Sequence, residues 1–400
     1  MAGGLIPLAE AQARLLALAS PKPAISVELL KANGHVIAEP LIALRSQPAA
    51  DLSAMDGYAV RAADLPGPWT ITGESAAGRP FTGKLASQEA IRISTGAIVP
   101  DGADTVVVQE DTSVERATLT LIGDGPPRPG AHIRRAGHDF AQGAELASAA
   151  TRVDARLLAL AAMAGHGHLN VHAPVRVTIL STGDELMPPG APLPSTAHIP
   201  ASNGIMLAAM LQGLPVDVTM PALLPDRLEP IAAALQEHRG ADIIVTTGGA
   251  SVGDHDLIQP ALIDCGGTVD FWRIAMRPGK PVMVGRLGNA VVLGLPGNPV
   301  SAYVTALLLL LPLVKTFAGF RQVLPDVLRA PAGGPFPANG ARQDYVRAVL
   351  SDGVLEPVRS QDSGALSSLQ TANALVIRAP FQPEAQTGEP IDYIALDRHR

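Results

Sequence analysis

With 400 residues, 47% apolar and only 17% charged, the chain can build several packed cores and is excluded from the disordered class, whose apolar content cannot offset chain entropy. A formal net charge of −7 without a basic run excludes nucleic-acid binding through phosphate contacts, so an anionic ligand must be met locally by backbone N–H groups and a few placed cations. The single cysteine, Cys265, excludes an internal disulfide or a cysteine-cluster metal site and fits a reducing, cytoplasmic setting.

In chain order, a helical pattern from Leu8 to Ala19 is stopped by Pro21 and Pro23, and a second helix is expected over 26–32. No signal peptide is expected, because Glu10 and Arg14 interrupt the first apolar stretch and no basic start precedes it. Residues 46–140 read as short strands (Ile71 to Thr72, Ala90 to Ser94, Thr105 to Gln109) separated by Gly, Pro and Asp turns. A helix over 154–164, ended by Gly165, is expected to pack back on the N-terminal helix, which makes 46–140 an insertion between 1–45 and 141–173.

From about 174 to 322 the period changes. Strand-like Val175 to Leu180, Ala241 to Thr246, Phe271 to Ala275, Pro281 to Val284 and Ala290 to Leu295 alternate with helices beginning near Ser202-Asn203, Asp226, Asp256 and Pro299. Alternation of this kind implies an open, mainly parallel sheet. The most apolar run, 304–314, has 11 residues and contains Pro312, about half the length a bilayer span needs, so no membrane association is expected. Residues 323–400 carry only short strand signals among Gly and Pro and read as a small all-β domain.

Ligands of α/β sheets sit beyond the carboxyl ends of the strands. Three segments fall there: residues 181–185, 246–256 and 295–301. Each combines glycines, hydroxyls and a following helix start, a composition that seats anions on backbone N–H groups. Any one alone is also an ordinary turn. None is a Walker A loop or a dinucleotide fingerprint. Asp184, Glu185, Asp254 and Asp256 lie in these loops; such carboxylates beside phosphates suit Mg²⁺, or act as turn formers and caps. Met276-Arg277-Pro278-Gly279-Lys280-Pro281 places two cations three apart on a turn, for an oxyanion or as a solvated hairpin tip.

Together these segments resemble the molybdopterin molybdenumtransferase family, that of MoeA and the E domain of gephyrin. The resemblance rests on Ser53 to Ala59 (S-x-M-D-G-[YF]-A), Thr95 to Pro100 (T-G-A-x-x-P) and Ile133 to Asp139 (I-R-x-x-G-x-D). It continues through Thr182 to Leu186, Thr247 to Asp256, Met276 to Pro281 and Gly294 to Ser301, with a weaker match from Asp362 to Asn373. The resemblance implies a homodimer of four-part subunits. Each would hold a molybdopterin-binding α/β domain (174–322), an inserted β-rich domain (46–140), a helical linker and dimerisation region (1–45 and 141–173) and a C-terminal small β-barrel domain (323–400).

It further implies insertion of molybdate into adenylylated molybdopterin with Mg²⁺, releasing AMP and molybdenum cofactor, with the pathway's molybdopterin adenylyltransferase as an expected partner. By motif position, Asp56, Asp139, Glu185, Asp256 and Lys280 would be catalytic, with Glu185 and Asp256 holding the metal. Thr95, Arg134, Thr182, Gly248, Gly249, Ser251, Gly253, Arg277, Pro296, Gly297, Asn298, Ser301 and Ser363 would bind substrate, across a cleft between the α/β domain of one subunit and the inserted domain of the other. The sequence departs from the pattern at Thr247 (Ser is usual), Arg277 (Lys is common), Asp226 (a paired Asp is common) and His138 (an acid is common). A scaffold protein on the same fold has no need of Asp56, Glu185, Asp256 and Lys280, and a simple adenylyltransferase lacks the segments before and after the α/β domain.

Overall fold

The computed structural model describes residues 5–248 and 257–396. Helix α1 (Leu8–Leu16) buries Leu8, Ala11 and Leu15, one stripe at helical spacing. It does not pack on the later helix of its own region as expected, but joins the large core of the α/β unit. The helix expected over 26–32 is instead strand β1 (Ala24–Glu28) followed by a short 3₁₀ turn. β1 pairs antiparallel with His168–His172, Ile25 opposite Val171 and Val27 opposite Leu169. The β-branched residues prefer this ladder to an isolated helix one or two turns long.

The chain enters the insertion beside its own exit. Gln47 and Phe140 bridge, with the Gln47 N–H donating to the Phe140 carbonyl at 2.8 Å. Inside lie β2 (Gly57–Val60), β3 (Trp69–Ser75), β4 (Glu89–Ile93), β5 (Thr105–Val108), β6 (Thr112–Glu115) and β7 (Thr118–Leu121), in sheet order β5-β2-β4-β3-β7-β6. Alternation along the strands feeds a core on each face. Tyr58, Val60, Trp69, Ala90, Val107 and Leu119 fill one; Ala59, Ile91, Ile93 and Val106 help fill the other. After the insertion, Asp154 caps α2 (Ala155–Met163) by accepting from the Leu157 N–H at 2.9 Å, which satisfies an amide the helix cannot. α2, β8 (His168–His172) and the residues around Ile37 and Leu41 share a small core.

The α/β unit holds β9 (Val175–Ser181), α3 (Asn203–Met210), β10 (Val216–Thr219), α4 (Leu228–Glu237), β11 (Ile243–Thr247) and α5 (Ile258–Asp264). There follow β12 (Thr268–Arg273), β13 (Pro281–Leu287) and β14 (Ala290–Leu295). The sheet order is β10-β9-β11-β14-β13-β12. The first four strands are parallel and the last two antiparallel, so the parallel sheet expected from the sequence carries a mixed edge. Every residue of β11 and β14 is buried, as strands covered on both faces require. α3 and the long helix lie in one covering layer, α4 and α5 in the other.

That long helix runs from Pro299 to Phe317: α6 (Pro299–Thr305), a π turn (Ala306–Leu310) and α7 (Leu311–Phe317). It is long and apolar enough to cross a membrane, yet it is largely buried as a core helix. Pro312 has no N–H to offer the carbonyl four residues earlier. Gln12 of α1 supplies the donor instead, its Nε2 reaching the Leu308 carbonyl at 2.9 Å. A sequence-local defect is thus repaired by a tertiary contact.

The C-terminal unit contains β15 (Leu328–Pro331), β16 (Gln343–Ser351), β17 (Val354–Pro357), α8 (Leu366–Thr371), β18 (Ala374–Arg378) and β19 (Pro390–Ala395). The six-residue helix α8 departs from the all-β expectation. This sheet also recruits Met276–Arg277 from the α/β unit, paired parallel with Gln343–Asp344.

Candidate active site

β9, β11 and β14 are parallel neighbours, so the loops leaving their carboxyl ends emerge side by side. The Thr182 N–H donates to the Thr247 carbonyl at 3.0 Å, tying the first loop to the second. Gly248 has φ +92°, and a Cβ there would lie 2.4 Å from the Thr182 carbonyl oxygen. A Cβ on Gly297 would in turn stand 3.8 Å from the Gly248 Cα. Glycine is therefore required at 248 both by its backbone conformation and by the close approach of the loops.

Beneath this convergence, the Thr182 and Thr246 hydroxyls and the Asn203 Oδ1 are buried without a partner among the described residues. Buried polar atoms are normally satisfied, so each orphan requires an account; the Thr182 hydroxyl lies beside Gly248, the Thr246 hydroxyl lies against Gly294 at the end of β11, and Asn203 stands beside the third loop. The sequence marks Ser202-Asn203 as the start of a helix, where either side chain has the residue type of a cap. Neither Ser202 nor Asn203 makes a capping bond; instead the Asn203 Nδ2 donates to the Gly297 carbonyl at 2.6 Å and anchors the third loop. Asparagine at a helix start has the same sequence signature in both roles.

Glu185 is exposed and folds back over Gly183, where a Cβ would meet its carboxylate at 2.6 Å. The Glu185 carbonyl accepts from the Ile199 N–H at 2.8 Å, and Asp184 accepts from the Asp226 N–H at 3.1 Å. Pro296 is buried, Gly297 and Asn298 are exposed, and Ser301 is buried beneath them. The start of α6 is not the open anion site expected from the sequence. The Val300 N–H donates to the Ser363 carbonyl at 3.1 Å, and Asn298 Nδ2 donates to the Ser363 hydroxyl at 3.0 Å. Ser363 thus fastens the C-terminal unit to the third loop.

Lys280 is exposed on a turn whose Gly279 (φ +106°) lies against α6; a Cβ there would meet the Thr305 methyl at 2.4 Å. Arg277, expected to bind substrate, has its guanidinium on the buried Asp344 carboxylate of β16. Gly249, Ser251, Gly253 and Asp256 lie outside the described residues. Among the described residues, no three acids, histidines or cysteines form a cluster able to hold a metal.

A second group lies on the insertion. The Asp56 carboxylate accepts from the Thr95 N–H at 2.7 Å, and Ile133–Arg134 pairs with Leu52–Ser53, which places Arg134 on the adjoining strand. Arg135 and the Ala136 N–H both bind Asp51, at 2.5 and 2.8 Å. Burial pushes the Asp51 carboxyl up, but these donors and the Arg135 charge outweigh it and leave it below the usual range. Asp139 is exposed at the base, its N–H donating to the Gln47 carbonyl at 2.9 Å. The structure thus joins Asp56 to Thr95 and places Arg134 on a strand paired with the segment that leads to Asp56, with Asp139 nearer the neck. Among the described residues, the α/β unit is joined to the linker region through Lys22 with Asp242 and Arg152 with the Gly213 carbonyl.

Comparison with known proteins gives matches along almost the whole chain. Residues 6–165 match the MoeA N-terminal region (domain I and II), 178–316 a probable molybdopterin binding domain, and 329–396 the MoeA C-terminal region (domain IV). A molybdopterin molybdenumtransferase of Haemophilus influenzae is 38% identical, covering 97% of this chain and 98% of that protein. One from Nostoc is 32% identical over 88% of this chain and 84% of its own length. Among solved structures, the molybdopterin biosynthesis MoeA protein of Pyrococcus horikoshii superimposes with a TM-score of 0.86 at 26% identity, covering 98% of this chain and 99% of that one.

Proposed function

The chain belongs to the MoeA family of molybdopterin molybdenumtransferases and acts in molybdenum cofactor biosynthesis, and from that premise we propose that the three-loop cradle seats adenylylated molybdopterin while molybdate displaces AMP. The observation that supports this reading is the convergence over buried, unpartnered Thr182 and Thr246 hydroxyls of loops that only Gly248 permits to approach so closely. A phosphate oxygen or pterin heteroatom would complete those hydroxyls.

Molybdate and a phosphoanhydride repel one another, so a site for both needs localised cations. Lys280 and Arg277 bring them on one turn, and Arg134 brings one from the insertion. Mg²⁺ fits the donor set in chemistry: it keeps several waters and takes only one or two carboxylates beside phosphate oxygens, which Glu185, exposed at the mouth, and Asp256 would provide. Bound there, Mg²⁺ would screen the reacting anions and the departing AMP phosphate. Asp56 holds the Thr95 backbone, and with Asp139 it would orient the dithiolene end of the pterin.

The division into 1–45 with 141–173, 46–140, 174–322 and 323–400 is carried over on the same footing, as is a cytoplasmic setting. We assign completion of the site to a second copy of the chain, whose insertion would present Asp56, Thr95 and Arg134. Supporting this, the linker region exposes Leu44 and Met163, with 55% and 47% of their surface in solvent, on backbone segments joined by the Leu44 N–H to Ala164 carbonyl bond of 3.0 Å. Sedimentation at micromolar concentration should give a dimer; a monomer would refute the shared site. The adenylylated substrate would come from the pathway's molybdopterin adenylyltransferase.

The direct test incubates the protein with adenylylated molybdopterin, Mg²⁺ and molybdate and follows AMP. Molybdate-dependent AMP release is expected; its absence at every molybdate concentration overturns the reading. Glu185→Gln and Asp256→Asn should each lower turnover at least about tenfold, roughly 1.4 kcal/mol of barrier, with unchanged melting. Unaltered Mg²⁺-dependent rates in both would remove them from the metal site.

A further inference from the structure

We propose that Asp344 is a positioning residue for the oxyanion substrate: it pins the Arg277 guanidinium by one edge at the mouth of the site, and so sets the affinity for molybdate. The proposal rests on the transferase reading above. It begins with an unusual strand pairing. Met276–Arg277 leaves its own sheet to pair parallel with Gln343–Asp344 of β16, and the Gln343 N–H donates to the Ala275 carbonyl at 2.9 Å. This backbone zipper brings an arginine of one unit onto a carboxylate of another. Asp344 is only 4% exposed, whereas the Arg277 side chain keeps 61% of its surface in solvent.

The asymmetry between the two partners carries the argument. A carboxylate so buried must be paired, and burial raises its pKa while Arg277, Arg342 and Arg378 act in the opposite direction. Arg378 is itself buried and its guanidinium is given to the carbonyls of Pro337 and Pro383, so it is committed to the backbone. Arg277 instead has one terminal nitrogen on Asp344 and most of its surface in solvent. A guanidinium is a rigid planar fork with five N–H donors. Held at one edge it presents the remaining donors in a fixed direction, the geometry that bidentate recognition of a tetrahedral oxyanion requires. Lys280, three residues on, is exposed on the same turn, which Gly279 seats against α6 below the Pro296–Ser301 loop. A lysine at 277 would bring the charge without a fork to pin.

The test follows AMP release against molybdate concentration in the full-length enzyme, with KM and kcat resolved. Asp344→Asn should raise KM for molybdate at least tenfold while kcat and KM for the adenylylated pterin stay within threefold. Asp344→Glu should return KM to within threefold of the parent. Arg277→Met should raise KM by at least tenfold as well, and adding D344N to R277M should raise it no further, because residues acting through one another are not additive. An unchanged molybdate KM in D344N, or effects that multiply in the double variant, makes Asp344 a structural residue and overturns the proposal. Should D344N lose its melting transition, R277M decides: an unchanged molybdate KM there overturns it equally. A parent enzyme that releases no AMP with molybdate refutes the transferase reading instead.

Discussion

Alanine at position 248 should lower AMP release at least a hundredfold, roughly 2.7 kcal/mol of barrier, while leaving most of the fold standing. Two effects combine. The left-handed backbone at φ +92° costs a residue with a Cβ about 1–3 kcal/mol. The added carbon would also lie 2.4 Å from the Thr182 carbonyl, so the first and second loops must separate. Separation breaks the Thr182 N–H to Thr247 carbonyl bond and opens the space around the two orphaned hydroxyls. Steady-state AMP release and a melting curve on the same preparation check it. Near-native turnover would mean the loops do not close on the substrate.

Trp69→Ala should dissolve the insertion and leave the α/β unit folded. Trp69 is 1% exposed, and its ring stacks over Gly67, where any Cβ would strike it at 2.6 Å. Truncating such a side chain costs about 3–5 kcal/mol, a large part of the roughly 5–15 kcal/mol available to a small domain. Two melting transitions are expected in place of one, with proteolysis confined to residues within 46–140 and molybdate-dependent activity lost. Trp69→Phe is the control. The indole Nε1 is buried without a partner among the described residues, so its removal forfeits no hydrogen bond and activity should persist. Retained activity in W69A would show that Asp56, Thr95 and Arg134 are dispensable.

Strands with continuous apolar runs, such as Ala290–Leu295, and loops punctuated by glycine and proline were legible in the sequence, because their signals are local. The helix wrongly expected over 26–32 fails for a non-local reason: Ile25 and Val27 find partners at Val171 and Leu169, about 145 residues away in the chain. The same limit applies at α1, whose apolar stripe announces burial but not against what. Arg277 was recognisable as a placed cation, but its partner Asp344 sits in another unit and no spacing rule links the two. Asn203 was visible and misassigned, since capping and loop anchoring use the same residue type at the same place.

The neck at Gln47 and Phe140 has a practical meaning. Because the two crossings are joined by a backbone hydrogen bond, everything between them is a cassette whose ends already meet. Closing the gap demands little chain entropy, so a short turn should replace the whole cassette without disturbing the scaffold. The excised segment should fold alone, and a relative's cassette should be transplantable at the same two residues. In a shared-site dimer such a chimera would carry its foreign half-site opposite the partner's cradle rather than its own, which turns a domain boundary into a handle for building asymmetric enzymes.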